Sequence, residues 1–248
     1  MHPENNPDVR WVAALANVSE ARAEKFVTEA QDDRTLYRHL DRVHRLGGRP
    51  SYVEIDAPLE LYALVRLLRP RHVVEVGVSS GVSSAYMLEA LERVGRGTLH
   101  SVDLPKLETR TLSRGRSRYP SWALPPGRSS GWAVPLPLRG RWDLRLGDKR
   151  RVVPLLVEEE FPVDMFVYDV PHVESEAARE FATIDRRFHN GSVAIADHGP
   201  GGGLCAPLKR WARSRRATPV RCAEWGLFGF RSTGRARSSA RRPDGAAR

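Results

Sequence analysis

Cysteine is nearly absent: Cys205 and Cys222 are the only two in 248 residues. Neither lies in a C-x-x-C pair, so neither a disulfide framework nor a zinc-thiolate site is expected, and two reduced thiols in a cytoplasmic protein are the simplest reading. No apolar run approaches the roughly 18 to 20 residues that would cross a bilayer. The first eight residues, Met1 to Asp8, hold no basic patch followed by an apolar stretch, so no signal peptide is expected. Lysine is scarce as well. It occurs at Lys25, Lys106, Lys149 and Lys209, against 36 arginines. With abundant Ala, Gly and Pro, that bias points to a GC-rich genome more than to a binding surface. No internal repeat is visible.

What is present is a net charge of +10, which raises the question of nucleic acid. Its distribution argues against a simple nucleic-acid surface. Residues 104–151 hold twelve basic and three acidic side chains, and residues 231–248 hold six and one, so the remaining chain is net negative. The basic character belongs to one insert and one tail. The hydrophobic fraction of 41% supports a sizeable core.

Apolar spacing predicts helices within 9–46, ended by Gly47-Gly48-Arg49-Pro50, and a helix from Pro58 to Leu68. Short β-branched runs then alternate with helices. Strands are predicted at 71–76, 98–103, 142–146, 163–168 and 192–196, with a terminal hairpin at 220–223 and 227–230. Helices are predicted at 83–94, 151–159, 174–188 (closed by Asn190-Gly191) and 204–214. Such alternation implies an α/β fold: a Rossmann-like, doubly wound, mostly parallel sheet covered on both faces. The domain plan expected is an N-terminal helical extension over 1–50, one domain over 51–231 and a disordered basic tail over 232–248. Residues 104–138, rich in Pro, Arg and Ser with Trp122 and Trp132, are too long for a tight connection. They read as a lid, a binding loop or a partly ordered insert.

In a parallel sheet, ligands bind at the carboxyl ends of the strands near a switch in strand order. Acids collect there: Asp103, Asp169 and Asp197 each end an apolar run, and Glu75 precedes the glycine loop Gly77-Val78-Ser79-Ser80-Gly81. A nicotinamide fingerprint fails, because its three glycine positions hold Gly77, Ser79 and Val82. Small residues here still allow close approach to a ligand. Glu75 suits a cationic group, such as the amino group and sulfonium of S-adenosylmethionine (SAM), and Asp103 suits paired ribose hydroxyls.

The segment Val73 to Ser84 resembles the first motif of class I SAM-dependent methyltransferases. The blocks Gly131-Trp132-Ala133-Val134-Pro135, Trp142 to Asp148, Phe166 to His172 and Asn190 to His198 narrow the resemblance to methyltransferase family 24, the branch that includes macrolide-sugar O-methyltransferases. The resemblance covers about residues 55–231 and implies seven strands with the last antiparallel. It also implies a SAM site lined by Glu75, Gly77, Ser79, Gly81, Ser84 and Asp103, with Asp148 near the adenine.

Methyl transfer to a hydroxyl needs an aligned, deprotonated oxygen. Asp169-x-x-His172 offers a carboxylate and an imidazole from one loop, and Asp197-His198 a second pair from the next strand end. By the resemblance, His172 is the general base, Asp169 a catalytic residue, and Asp169, Asp197 and His198 ligands of a divalent ion, Mg or Mn. Two departures stand out. Position 198 is usually acidic in the family, and an imidazole suits Mn better than Mg. Val170-Pro171 replaces small or polar residues. The expected activity is O-methylation of a small molecule, such as a glycosylated secondary metabolite, with no membrane partner and a homo-oligomer left open. The competing readings are an RNA methyltransferase using the basic segments and a non-catalytic SAM-fold binding protein.

Overall fold

The computed structural model describes residues 7–46, 58–104, 124, 127–170, 173–197, 202–223 and 226–235. The insert between 105 and 123, the loop residues Pro171, His172 and His198, the breakers at 47–50 and the tail beyond 235 lie outside them.

The predicted N-terminal helical region is three helices: α1 (Val9–Ala16), α2 (Glu20–Gln31) and α3 (Arg34–Leu46). Asp8 caps α1 by accepting the Trp11 amide, and Asn17 ends it in the left-handed region at φ 56°. These stops were hidden in the continuous apolar spacing. α4 (Pro58–Leu68) follows with proline at its first position.

The sheet then begins with β1 (His72–Val76), α5 (Val82–Val94) and β2 (Thr98–Asp103). Next come β3 (Trp142–Leu146), α6 (Lys149–Glu158), β4 (Val163–Tyr168), α7 (Glu174–Asp185), β5 (Phe188–Ala196), α8 (Ala206–Ser214), β6 (Val220–Arg221) and β7 (Phe228–Arg231). Strand order is β3-β2-β1-β4-β5-β7-β6. All neighbours from β3 through β5 are parallel, and the last strand, β7, runs antiparallel to both β5 and β6. The fold is the doubly wound α/β sheet expected.

Strand residues alternate between two cores, as period-two geometry requires. Val73, Leu99, Met165, Val167, Val193 and Ile195 pack with α1, α2, α4 and α5. Val74, Val76, Val102, Phe166, Tyr168, Ala194 and Ala196 pack with α6, α7 and α8. Trp11, Val12 and Leu15 of α1 lie in the first of these cores. Among the described residues no helix is long and apolar enough to cross a membrane, and both cysteines are buried.

One boundary needs correction. Asn190-Gly191 does not end a helix. α7 stops at Asp185 and β5 starts at Phe188, which pairs with Val163. The next pair is Met165 with Val193, so β5 carries extra residues in a bulge where Gly191 adopts φ 91°. The Gly191 amide donates to Ser232 O at 2.8 Å, a distant contact that local sequence does not reveal.

Candidate active site

The chain builds β1, β2 and β3 outward on one side and then crosses back to place β4 on the other side of β1. The switch in strand order therefore lies between β1 and β4, where the glycine loop leaves β1. Gly77 adopts φ 99°, and a Cβ there would stand 1.8 Å from the Asp169 carbonyl oxygen. The Asp169 amide in turn donates to Val76 O at 2.8 Å. Glycine at 77 is thus demanded first by the chain itself: the start of the loop after β4 lies against the start of the loop after β1. Ser79 takes a left-handed conformation at φ 51°, and the Gly81 amide closes the turn on Val78 O at 2.9 Å.

Gly81 also has a reason that the sequence hid. At φ 90°, its Cβ would meet Val134 Cγ2 at 2.7 Å and Gly131 Cα at 2.9 Å. At Gly131, with φ 68°, a Cβ would stand 2.0 Å from the Trp142 ring. The end of the long insert is therefore docked on the glycine loop. Gly131 N donates to Ser79 O at 2.8 Å and Ala133 N to Ser80 O at 2.9 Å.

Glu75 is fully buried and enclosed by serine hydroxyls. Ser83 Oγ donates to its Oε1 at 2.8 Å, while Ser84 Oγ and Ser101 Oγ donate to Oε2 at 2.7 and 2.6 Å. Ser101 Oγ accepts from Trp142 Nε1 at 2.8 Å. Burial pushes the carboxyl up to about 7 against the opposing pull of these donors. Its charge therefore acts on the loop through the protein rather than through an open face.

Asp103 ends β2 at the same rim, because Val76 pairs with Val102 in the parallel register. Its Oδ1 accepts the Val78 amide at 3.3 Å and its Oδ2 accepts the Ser130 hydroxyl. Burial raises its pKa, opposed by Ser130 and by the amides of Val78, Leu104 and Ser79. Asp148 sits at the head of α6, where it accepts the Arg150 amide at 2.9 Å. The Arg150 guanidinium holds its carboxyl down at about 2. Asp169 and Asp197 follow the paired residues Tyr168 and Ala196, so they leave adjacent parallel strands side by side. Asp197 N donates to Tyr168 O at 3.1 Å.

The family described as "Methyltransferase domain" matches residues 74–198, half of the chain and the stretch that builds this rim. The chain belongs to that methyltransferase family. Solved structures share its fold. One is the O-methyltransferase from Bacillus cereus in complex with SAH, 16% identical over 84% of this chain and 99% of that chain at TM-score 0.54. Another is the O-methyltransferase TomG from Streptomyces achromogenes, involved in tomaymycin synthesis and in complex with SAM, 17% identical over 82% and 91% at 0.54. A third is a calicheamicin methyltransferase, 16% identical over 93% and 99% at 0.54. No curated protein matches the chain significantly.

In this methyltransferase, the described rim unites Gly77, Ser79, Gly81, Asp103, Asp169 and Asp197, while Glu75 and Ser84 lie sealed beneath the loop and Asp148 stands at the head of α6 beyond β3. His172 and His198 fall outside the described residues. Among those residues no three His, Cys, Asp or Glu gather where an ion could be held. Val170 lies beside the loop, its Cγ1 3.1 Å from the position of a Cβ on Gly77. Sequence reasoning missed Ser83, Ser101 and Ser130. A serine 26 or 27 residues from its carboxylate partner leaves no local pattern.

Below the rim lies a second polar cluster. Lys149 Nζ donates to Tyr168 Oη at 2.8 Å and to Glu180 Oε2 at 3.0 Å, and Tyr168 Oη donates to the same oxygen at 2.5 Å. Burial and the Glu180 carboxylate raise the Tyr168 pKa. This cluster ties the head of α6 to β4 and α7, one residue before Asp169.

Proposed function

We propose that this methyltransferase transfers the methyl group of SAM to a hydroxyl of a small molecule, such as a glycosylated secondary metabolite. The observation that carries the reading is the contact of Gly77 with the Asp169 backbone, which sets the cofactor loop against the strand end bearing the proposed catalytic carboxylate. SAM-dependent O-methyltransferases among the fold relatives support it.

SAM, when bound, supplies an electrophilic methyl on a positively charged sulfur. The chain's residues do the rest. Asp103 holds the ribose hydroxyls, the loop 77–81 lies along the methionine part, and Asp148 lies near the adenine. Glu75 places negative charge behind the cation. His172 takes the proton from the acceptor hydroxyl as that oxygen attacks, and bound SAM would supply the methyl group and leave as SAH. Asp169 orients the acceptor and stabilises the protonated imidazole. The carboxylates of Asp169 and Asp197 alone do not make an ion site. With His198 added, the donor set suits Mn better than Mg.

Most of the described arginines between residues 128 and 151 are engaged within the chain, which favours a small-molecule acceptor over RNA. Arg139 donates to Gly131 O and Val134 O, Arg141 to Glu92, Arg145 to Asp143 and Glu159, and Arg150 to Asp148. Arg128 lies 4.9 Å over the Trp132 ring.

The test is calorimetry with SAM together with SAH release over a panel of small hydroxyl compounds. Asp169→Asn is expected to lower kcat by about 100-fold or more while SAM affinity stays within about threefold. Unchanged turnover would remove Asp169 from the chemistry, and failure of the wild type to bind SAM would end the reading.

Glu75 adds a pH prediction. Its folded pKa of about 7 lies above the ordinary 4.5. Between these values the folded chain holds a proton that the unfolded chain releases, so this group lowers stability as pH rises through that window. A bound sulfonium favours the ionised form. SAM binding should therefore strengthen as pH rises from about 6 to 8 and release protons near pH 7. Calorimetry in buffers of different ionisation enthalpy measures that release, and Glu75→Gln should abolish it.

A further inference from the structure

Ser130 is 6% exposed and comes from the end of the basic insert, and its hydroxyl is spent on the carboxylate read above as the ribose acceptor. A carboxylate offers about four lone-pair positions. On Asp103 the Val78 amide takes Oδ1 at 3.3 Å and the Ser130 hydroxyl takes Oδ2, with the amides of Ser79 and Leu104 close by. The ribose of SAM brings two further hydroxyls. The one that meets Oδ2 competes there with the Ser130 hydroxyl.

The three amides are fixed. Val78 and Ser79 belong to the turn closed by Gly81 N on Val78 O, and the Asp103 backbone is itself held by Gly147 N on Asp103 O at 2.8 Å. The Ser130 hydroxyl alone turns about a single bond. Its segment does not depend on that contact, because Gly131 N–Ser79 O, Ala133 N–Ser80 O and the Arg139 guanidinium on Gly131 O at 3.1 Å hold it in place.

We infer that Ser130 is a cofactor-affinity residue: its hydroxyl occupies Asp103 in the free protein and is displaced by the ribose diol, so that it weakens the binding of SAM and of the product SAH. A weaker hold on SAH favours product release. Ser130 touches the cofactor-binding acid and not the reacting atoms, so it is a positioning residue. The inference rests on the reading of Asp103 as the ribose acceptor.

The test measures SAH binding by calorimetry for the wild type, Ser130→Ala, Ser130→Gly and Asp103→Asn. Removal of the hydroxyl should tighten SAH about fivefold, the worth of one hydrogen bond to a charged group once water has recovered part of it. The gain should vanish for the 2′,3′-dideoxy analogue of SAH, which a general effect on folding or docking would not distinguish. Asp103→Asn should weaken SAH about tenfold or more. Equal or weaker SAH binding by both Ser130 variants, with Asp103→Asn impaired, overturns the inference and leaves the ribose reading standing. Unimpaired binding by Asp103→Asn overturns both.

Discussion

Alanine at position 77 is expected to cost the protein about 3 to 5 kcal/mol of stability and its SAM site together. Two penalties add. At φ 99° any side chain is strained, at about 1–3 kcal/mol. The added carbon would also lie 1.8 Å from the Asp169 carbonyl oxygen and 2.8 Å from its carbon. Backbone cannot swing aside as a side-chain tip can. Relief requires β1 and β4 to part at their carboxyl ends, and that breaks the Asp169 N–Val76 O bond of 2.8 Å. Overpacking of this kind costs about 1–3 kcal/mol more. Gly95→Ala is the matched control. Gly95 has φ 76° but nothing within 4 Å of the new carbon, so only the conformational cost of about 1 kcal/mol remains and SAM affinity should not change. Urea unfolding and calorimetry on both variants decide the matter. A Gly77→Ala protein as stable as the Gly95→Ala one would show that the close approach is not limiting.

The second large effect is expected at Lys149. Glu180 is 3% exposed, and its Oε1 has no hydrogen-bond partner among the described residues. Its charge is tolerated because Lys149 and Tyr168 meet the other oxygen. Lys149→Met leaves a buried carboxylate without its cation, and breaking such a pair costs about 3–5 kcal/mol. Adding Glu180→Gln should recover most of the loss, because the isolated charge is then gone. Chemical denaturation of the two single variants and the double variant measures the coupling. Additive losses would mean that Lys149 acts elsewhere, for example through Glu176, 3.3 Å away.

The sheet was legible where an apolar run ended abruptly. Thr98–Asp103, Trp142–Leu146 and Val163–Tyr168 fall where the residues alone place them, because each is bounded by Gly, Pro or an acid. β5 was not legible at its start. Phe188-His189-Asn190-Gly191 reads as a helix stop, and only the pairing of Phe188 with Val163 and of Gly191 with Ser232 makes it strand. The rim of acids could be foreseen because parallel strands deliver their carboxyl ends to one edge. The identity of each acid's neighbours could not. Glu75 reads as a residue facing a ligand, yet three hydroxyls from α5 and β2 enclose it. Gly81 reads as room for a cofactor, yet Gly131 and Val134 fill that room. Those contacts come from residues up to 53 positions further on, and no spacing rule reports them.

Asp103 receives the amide of Leu104 and the hydroxyl of Ser130, so the long basic excursion departs from and returns to the same carboxylate. Closing a chain segment costs only about 0.6 kcal/mol more for each doubling of its length. A change in the length of the stretch between those two residues is therefore expected to cost the fold little, provided that Ser130, Gly131 and Ala133 keep their seats on Asp103, Ser79 and Ser80.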